Sequence, residues 1–241
     1  MRGNRTMTEE RSGTFRRIFE HQWLHLLLLA ALLLGVRMLI RMAHGLDGRL
    51  WGVSSETWLL IAVWLAVVHQ TYVWFCWRTE LHAGLLTRLF GARAFSYYRT
   101  GFSILGIART LAVFILAYAN RDPAAVDPVA LKVLALILAV PTIYLFYSVR
   151  TYFTFDRAFG IDHFDPAYRN KPFVRGGIFR YTSNGMYMFG LLVLWLPGLW
   201  WASVGALIAA LFNHLYIWVH YYSTELPDIG RLYSDRREDA R

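Results

Sequence analysis

Long apolar runs separated by short polar gaps dominate the pattern of this chain. They cover Trp23–Ile40, Thr57–Trp77, Phe102–Ala119, Pro128–Tyr147 and Met186–His220. Each of the first four approaches the roughly 20 residues that a helix needs to cross the hydrocarbon of a bilayer. The last run is much longer and is interrupted by Pro197-Gly198, a turn-forming pair, so it reads as two passes joined tightly. The pattern predicts an all-α fold: a polytopic membrane helical bundle of about six spans with a C-terminal helical hairpin. Trp23–Ile40 is too long for a signal-peptide core and no small-residue cleavage site follows it, so it is expected to be a retained span.

Composition agrees with a membrane class. The chain has 241 residues, of which 56% are hydrophobic and only 17% charged, with 10 Trp, 14 Tyr and 16 Phe. A net charge of +9 raises the question of nucleic acid, but the basic residues fall in the gaps between apolar runs. That distribution suits loops facing anionic lipid and argues against nucleic acid. Lys and Arg crowd into segments 1–22, 78–100, 149–185 and 221–241, whereas 41–56 and 120–127 hold only Arg41, Arg49 and Arg121. By the positive-inside rule the crowded side is cytoplasmic, which puts both termini and the loop 149–185 there. The expected location is the inner, cytoplasmic membrane. Three parts follow: a basic segment 1–22, four spans in 23–148, and a C-terminal unit 149–241. The single cysteine, Cys76, excludes an internal disulfide and a cysteine-based metal site. The acids and histidine of the loop, Asp156, Asp162, His163 and Asp165, match no standard metal-ligand spacing and read as a solvated charged face. No metal is expected.

The most informative stretch runs from Gly176 to Gly190 and reads Gly-Gly-Ile-Phe-Arg-Tyr-Thr-Ser-Asn-Gly-Met-Tyr-Met-Phe-Gly. It places Arg180, Tyr181, Thr182, Ser183 and Asn184 at the start of the hairpin. Unsatisfied polar groups are costly in hydrocarbon, so a cluster here implies a lined cavity or an interfacial anchor. Glu225 follows the last span directly. Within the spans, Arg109 lies near the middle of the third run, where a charge is a functional-site hypothesis. His69 and His214 are midspan and read as bundle histidines.

These residues carry a resemblance. The order Gly177-Ile178-Phe179-Arg180-Tyr181, then Asn184-Gly185-Met186-Tyr187, a hairpin, Glu225-Leu226-Pro227 and Leu232-Tyr233 resembles the integral-membrane methyltransferases. That superfamily includes the phosphatidylethanolamine N-methyltransferases and isoprenylcysteine carboxyl methyltransferase, and the phosphatidylethanolamine branch is the nearer match. The resemblance covers roughly 172–235. It implies an enzyme that binds S-adenosylmethionine at the cytoplasmic end of the last hairpin. Tyr181, Asn184, Tyr187 and Glu225 would line the cofactor site, and Arg180 would help hold that segment or the acceptor, a lipid or lipid-like substrate. Apart from the resemblance, Arg109 is expected to hold a lipid phosphate if it faces the same cavity as Arg180, and to be structural if it pairs with a carbonyl or faces the outer leaflet. The sequence departs from the family pattern at Gly185, where the family has proline, at Phe189, where it has glycine, and at Leu226, where it has a second glutamate.

The expected function is a membrane-embedded, S-adenosylmethionine-dependent methyltransferase acting on a lipid amine such as phosphatidylethanolamine. The alternatives are a prenylcysteine carboxylate or a small thiol as acceptor, or a non-catalytic membrane protein that keeps the scaffold. An amine acceptor must lose a proton before attack, and His163, Asp162 and Glu225 are the candidates to receive it.

Overall fold

The computed structural model describes residues 12–122 and 124–233. Of the segment 1–22, residues 1–11 lie outside the described residues, and 12–18 are helical. Among the described residues the protein is all-α apart from one hairpin of two-residue strands, β1 (Arg49–Leu50) paired antiparallel with β2 (Val53–Ser54). Five long helices form the bundle: α1 (Gln22–Met42), α2 (Ser55–Ala83), α3 (Ala94–Ala119), α4 (Pro128–Ser148) and α5 (Val204–His220). A short α6 (Leu226–Leu232) follows. All five long helices are apolar enough to cross a membrane, and Gly185–Trp200 is a shorter apolar segment beside them. The protein is thus an integral membrane helical bundle.

Local chemistry sets the ends of the helices. Ser54 accepts from Thr57 N–H at the start of α2, Asp127 caps α4 just before Pro128, and Ser203 caps α5. Each side chain satisfies one of the orphan N–H groups of a first turn. α2 stops at Gly84, whose φ of 57° suits a residue without a side chain. At the opposite end of the bundle, Asn120 Oδ1 accepts from Gly205 N–H at 2.7 Å and from Ser203 Oγ at 3.1 Å, joining α3 to α5.

The hairpin differs from its sequence expectation in one respect. Pro197 and Gly198 do not form the turn. They lie inside a short helix, Trp195–Trp200, and the chain reverses at Trp201–Ser203, where Ala202 has φ 49°. Proline near the start of a helix removes an N–H that has no partner in any case. Gly198 lets the arms approach, since a Cβ there would sit 3.1 Å from Leu207 N. The first arm is broken into the helix Gly185–Phe189, a 3₁₀ stretch Gly190–Leu194 and Trp195–Trp200.

One apolar cluster joins α2, α3 and α5 through Leu59, Val63, Val113, Leu116, Ala209 and Phe212. Polar bonds join α1 to the end of α5: His25 bridges Ser223 Oγ (3.0 Å) and Tyr216 Oη (2.8 Å). The starts of α1 and α6 therefore share one end of the bundle with the loop 149–185, called here the loop end. There Arg78 of α2 donates through Nε to Asp228 Oδ2 of α6 at 2.9 Å, and both side chains are 0% exposed. Arg78 also donates to the carbonyls of Ser223 (3.3 Å), Thr224 (3.1 Å) and Arg17 (2.6 Å).

Removing one partner of a buried ion pair strands the other charge. Asp228→Ala is expected to cost about 3 kcal/mol, lowering the apparent Tm of detergent-purified protein, whereas the double variant Arg78→Met/Asp228→Leu should recover most of the loss. An Asp228→Ala protein that melts like wild type would contradict this role.

Candidate functional site at the loop end

Two wide turns frame the site. α4 ends in a π-helical turn, Val149–Phe153, and α5 ends in another, Tyr221–Glu225. In the second, Leu226 N–H reaches back to the Tyr221 carbonyl. A π turn offsets the side chains after it from the regular helical stripe, and such turns recur at functional sites. Glu225 is the last residue of its turn and points into the bundle.

Opposite it stands the stretch that the sequence singled out. Gly177 has φ 59°, and a Cβ there would fall 2.4 Å from Ser148 Oγ. That serine accepts from Ile178 N–H at 3.0 Å, fixing the stretch to α4. Asn184 N–H donates to Thr182 Oγ1 at 3.1 Å, and the Asn184 carbonyl accepts from Tyr187 and Met188 N–H to start the helix Gly185–Phe189. Gly185 is buried against Ile178 and Phe179, where a Cβ would sit 3.3 Å from Ile178 Cγ2. Tyr187 Oη donates a hydrogen bond to Glu225 Oε2. The tyrosine before the hairpin and the acid after it therefore meet.

They meet at the junction of two cavities. The more polar one, of about 320 Å³, lies between the loop and α6. Ser183, Asn184, Asp162 and His163 are among its polar walls, and Phe153, Phe173, Tyr221 and Tyr233 among its aromatic ones. An apolar one of about 300 Å³ runs into the bundle past Val73, Phe102, Leu145, Val149, Leu191 and Ile217. Trp77, Ala158, Met186, Tyr187 and Glu225 line both. Glu225 is the one carboxylate shared by the two among the described residues. α3 packs on α2 and α5, α4 packs chiefly on the broken arm, and that arm also touches α3. Phe146 and Phe155, which line the apolar cavity, are exposed.

Asn184, Tyr187 and Glu225 thus come together, as the sequence led one to expect. Tyr181 does not join them: it follows the 3₁₀ turn Gly177–Arg180, is 76% exposed and lines neither cavity. Arg180 is exposed beside it. Arg109 is buried and lines the apolar cavity, where its Nε donates to Asn213 Oδ1. It shares no cavity with Arg180. His214 accepts from Trp195 Nε1 at 3.2 Å, a satisfied bundle histidine.

The reading of the loop as a solvated charged face fails for Asp162 and His163. His163 is buried, its ring stacked on Trp77 with centroids 4.2 Å apart. Its Nδ1 lies 3.2 Å from Asp162 Oδ1 and its Nε2 3.5 Å from Asp228 Oδ2. Asp162 also accepts from Tyr233 Oη at 2.8 Å. Gly160, φ 82°, lets the loop pass Trp77, since a Cβ would come within 2.4 Å of that ring. Spacing alone did not reveal this cluster because its partners, Trp77, Arg78 and Asp228, come from opposite ends of the chain.

Burial opposes charge on both groups, but their mutual contact outweighs it. Burial would lower His163, yet the hydrogen bonds and charges of Asp162 and Asp228 raise it to about 9. Burial would raise Asp162, yet its bonds to His163 and Tyr233 hold it below the usual carboxylate value. A raised histidine contributes stability that is complete below its unfolded value of about 6.5 and is lost as pH rises through its folded value. The Tm should therefore fall between pH 7 and pH 9.5, and His163→Gln should flatten that slope. An equal slope in the variant would contradict the assignment.

The family model described as phospholipid methyltransferase matches residues 130–236, a stretch that contains Asn184, Tyr187, Glu225 and the Asp162–His163 pair. No curated protein and no solved structure matches the chain.

Proposed function

We propose, because the phospholipid methyltransferase family model matches residues 130–236, that this chain uses S-adenosylmethionine to methylate the amine of a membrane lipid such as phosphatidylethanolamine. The observation that carries this reading is the Tyr187–Glu225 contact at the junction of a polar and an apolar cavity. One cavity suits a water-soluble nucleoside donor and the other a molecule with an acyl chain. Their volumes lie at the lower end of the range for small-molecule sites.

The residues of the polar cavity fit the donor. Glu225 and Asn184 offer hydrogen-bond acceptors for hydroxyl or ammonium groups. The faces of Tyr187, Tyr221 and Phe153 suit a sulfonium cation. When bound, S-adenosylmethionine supplies an electrophilic methyl group, and displacement at carbon depends mainly on alignment of the two reactants. Tyr187 holds Glu225 in place from the hairpin side. Glu225, facing both cavities, receives the proton that the acceptor amine loses. Trp77 and Met186 close the junction against water. Arg180 and Tyr181 suit the membrane interface, where a cation and an amphipathic ring are favoured. The departures from the family pattern are compatible with the site: Gly185 starts the helix that carries Tyr187, Phe189 packs against the cluster of Leu145, Ile178 and Phe179, and Leu226 lines the polar cavity. By the distribution of Lys and Arg, the loop end faces the cytoplasm, where the soluble donor is found.

Titration of detergent-purified protein with S-adenosylhomocysteine tests the donor site. Wild type should bind, Glu225→Gln should weaken binding about tenfold or more through loss of a charge-assisted hydrogen bond, and Tyr181→Phe should bind as wild type. Absence of binding to wild type, or equal binding by Glu225→Gln, would overturn the reading.

A further inference from the structure

The apolar cavity is not apolar at its inner end. Arg109 of α3, His69 of α2 and His220 of α5 all line it, and each is more than nine-tenths buried. Arg109 uses Nε on Asn213, but its Nη2 has no hydrogen-bond partner, and neither ring nitrogen of His69 or His220 has one. Buried polar groups in native proteins are nearly always paired, so unpaired ones facing a cavity point to a ligand atom that completes them.

The position of these groups restricts the ligand. Asn213, which holds Arg109, lies on the same helical path as Glu225, roughly 18 Å deeper by helical rise, with His220 about 8 Å below Glu225. Phe102 packs edge-on to His69 with centroids 4.6 Å apart, and a Cβ at Gly106 would lie 3.5 Å from the same ring, so the pocket walls are close around that histidine. Guanidinium is a pure donor, and neutral imidazole offers one donor. The complement is an electronegative oxygen on an otherwise apolar molecule. A phosphate adjoining an amine at Glu225 sits too shallow to reach Arg109, because only a few bonds separate the two groups.

We propose that Arg109, with His69, forms an inner subsite that binds a carboxylate or ester carbonyl oxygen of a membrane-borne amphiphile whose chain fills the apolar cavity, His220 lining the wall nearer Glu225. That this amphiphile is the methyl acceptor rests on the methyltransferase reading. Arg109 then selects the acceptor by an oxygen far from the methylated atom.

Three probes of the same chain length separate oxygen recognition from simple filling of the cavity: oleate, methyl oleate and octadecene, each measured by thermal shift on the full detergent-purified chain. Wild type should be stabilised by oleate and by methyl oleate and much less by octadecene. Arg109→Met should lose that difference, His69→Phe should reduce it, and both variants should keep the shift given by S-adenosylhomocysteine, which shows that they are folded. Equal shifts from the three probes on wild type, or an undiminished difference in folded Arg109→Met, would overturn the subsite. A wild-type protein that discriminates the probes but ignores S-adenosylhomocysteine would uphold the subsite and remove the methyltransferase reading.

Discussion

A buried ion pair at the loop end holds the parts of this site in register. Arg78 sits near the end of the second helix and Asp228 in the last, and neither touches solvent. A lone charge in such a place is unfavourable, so the two must stay together. Their contact fixes the last helix against the bundle and so sets where the preceding π turn delivers Glu225. His163 approaches the same aspartate, which draws the long loop over the top. Helix, loop and acid are thereby fixed by one cluster whose members are far apart in sequence.

The membrane setting explains the division into two cavities. Backbone in hydrocarbon must satisfy its own hydrogen bonds, so irregular chain is tolerated only where it is packed by protein or lines a cavity. The broken arm from Gly185 to Trp200 meets this condition by packing on α4 and α5. Its irregular start carries Tyr187 to the wall shared by both cavities. Glu225 stands where the two cavities meet, so groups held in either can reach it.

Much of this was legible in the residues. The apolar runs gave the helices, with α3 longer than expected because Ala94–Gly101 continues it as an amphipathic extension. Asn184, Tyr187 and Glu225 were picked out by their order around a hairpin, and folding brings them to one wall. Tyr181 belonged to the same motif, yet the 3₁₀ turn before it sends the side chain outward. A motif lists neighbours in sequence, and a short turn decides which of them share a face. The polar cluster of the loop was harder to read. Asp162 and His163 look like ordinary solvated residues until Trp77 and Asp228 are seen beside them, and such long-range partners leave no periodic signal. Arg109 and His69 were legible as polar groups within spans, but His69 is not the satisfied bundle histidine expected, and Asn213 and His220 were not singled out.

In the function proposed for this protein, Glu225 stands between a methyl donor on one side and a lipid amine on the other. Its most direct test is to incubate membranes containing the protein with S-adenosylmethionine carrying an isotopically labelled methyl group and to separate the extracted lipids. Label should enter the aminophospholipid fraction, appearing as N-methylated headgroups, and should be absent from membranes that hold Glu225→Gln. Label no higher than in membranes lacking the protein would contradict it.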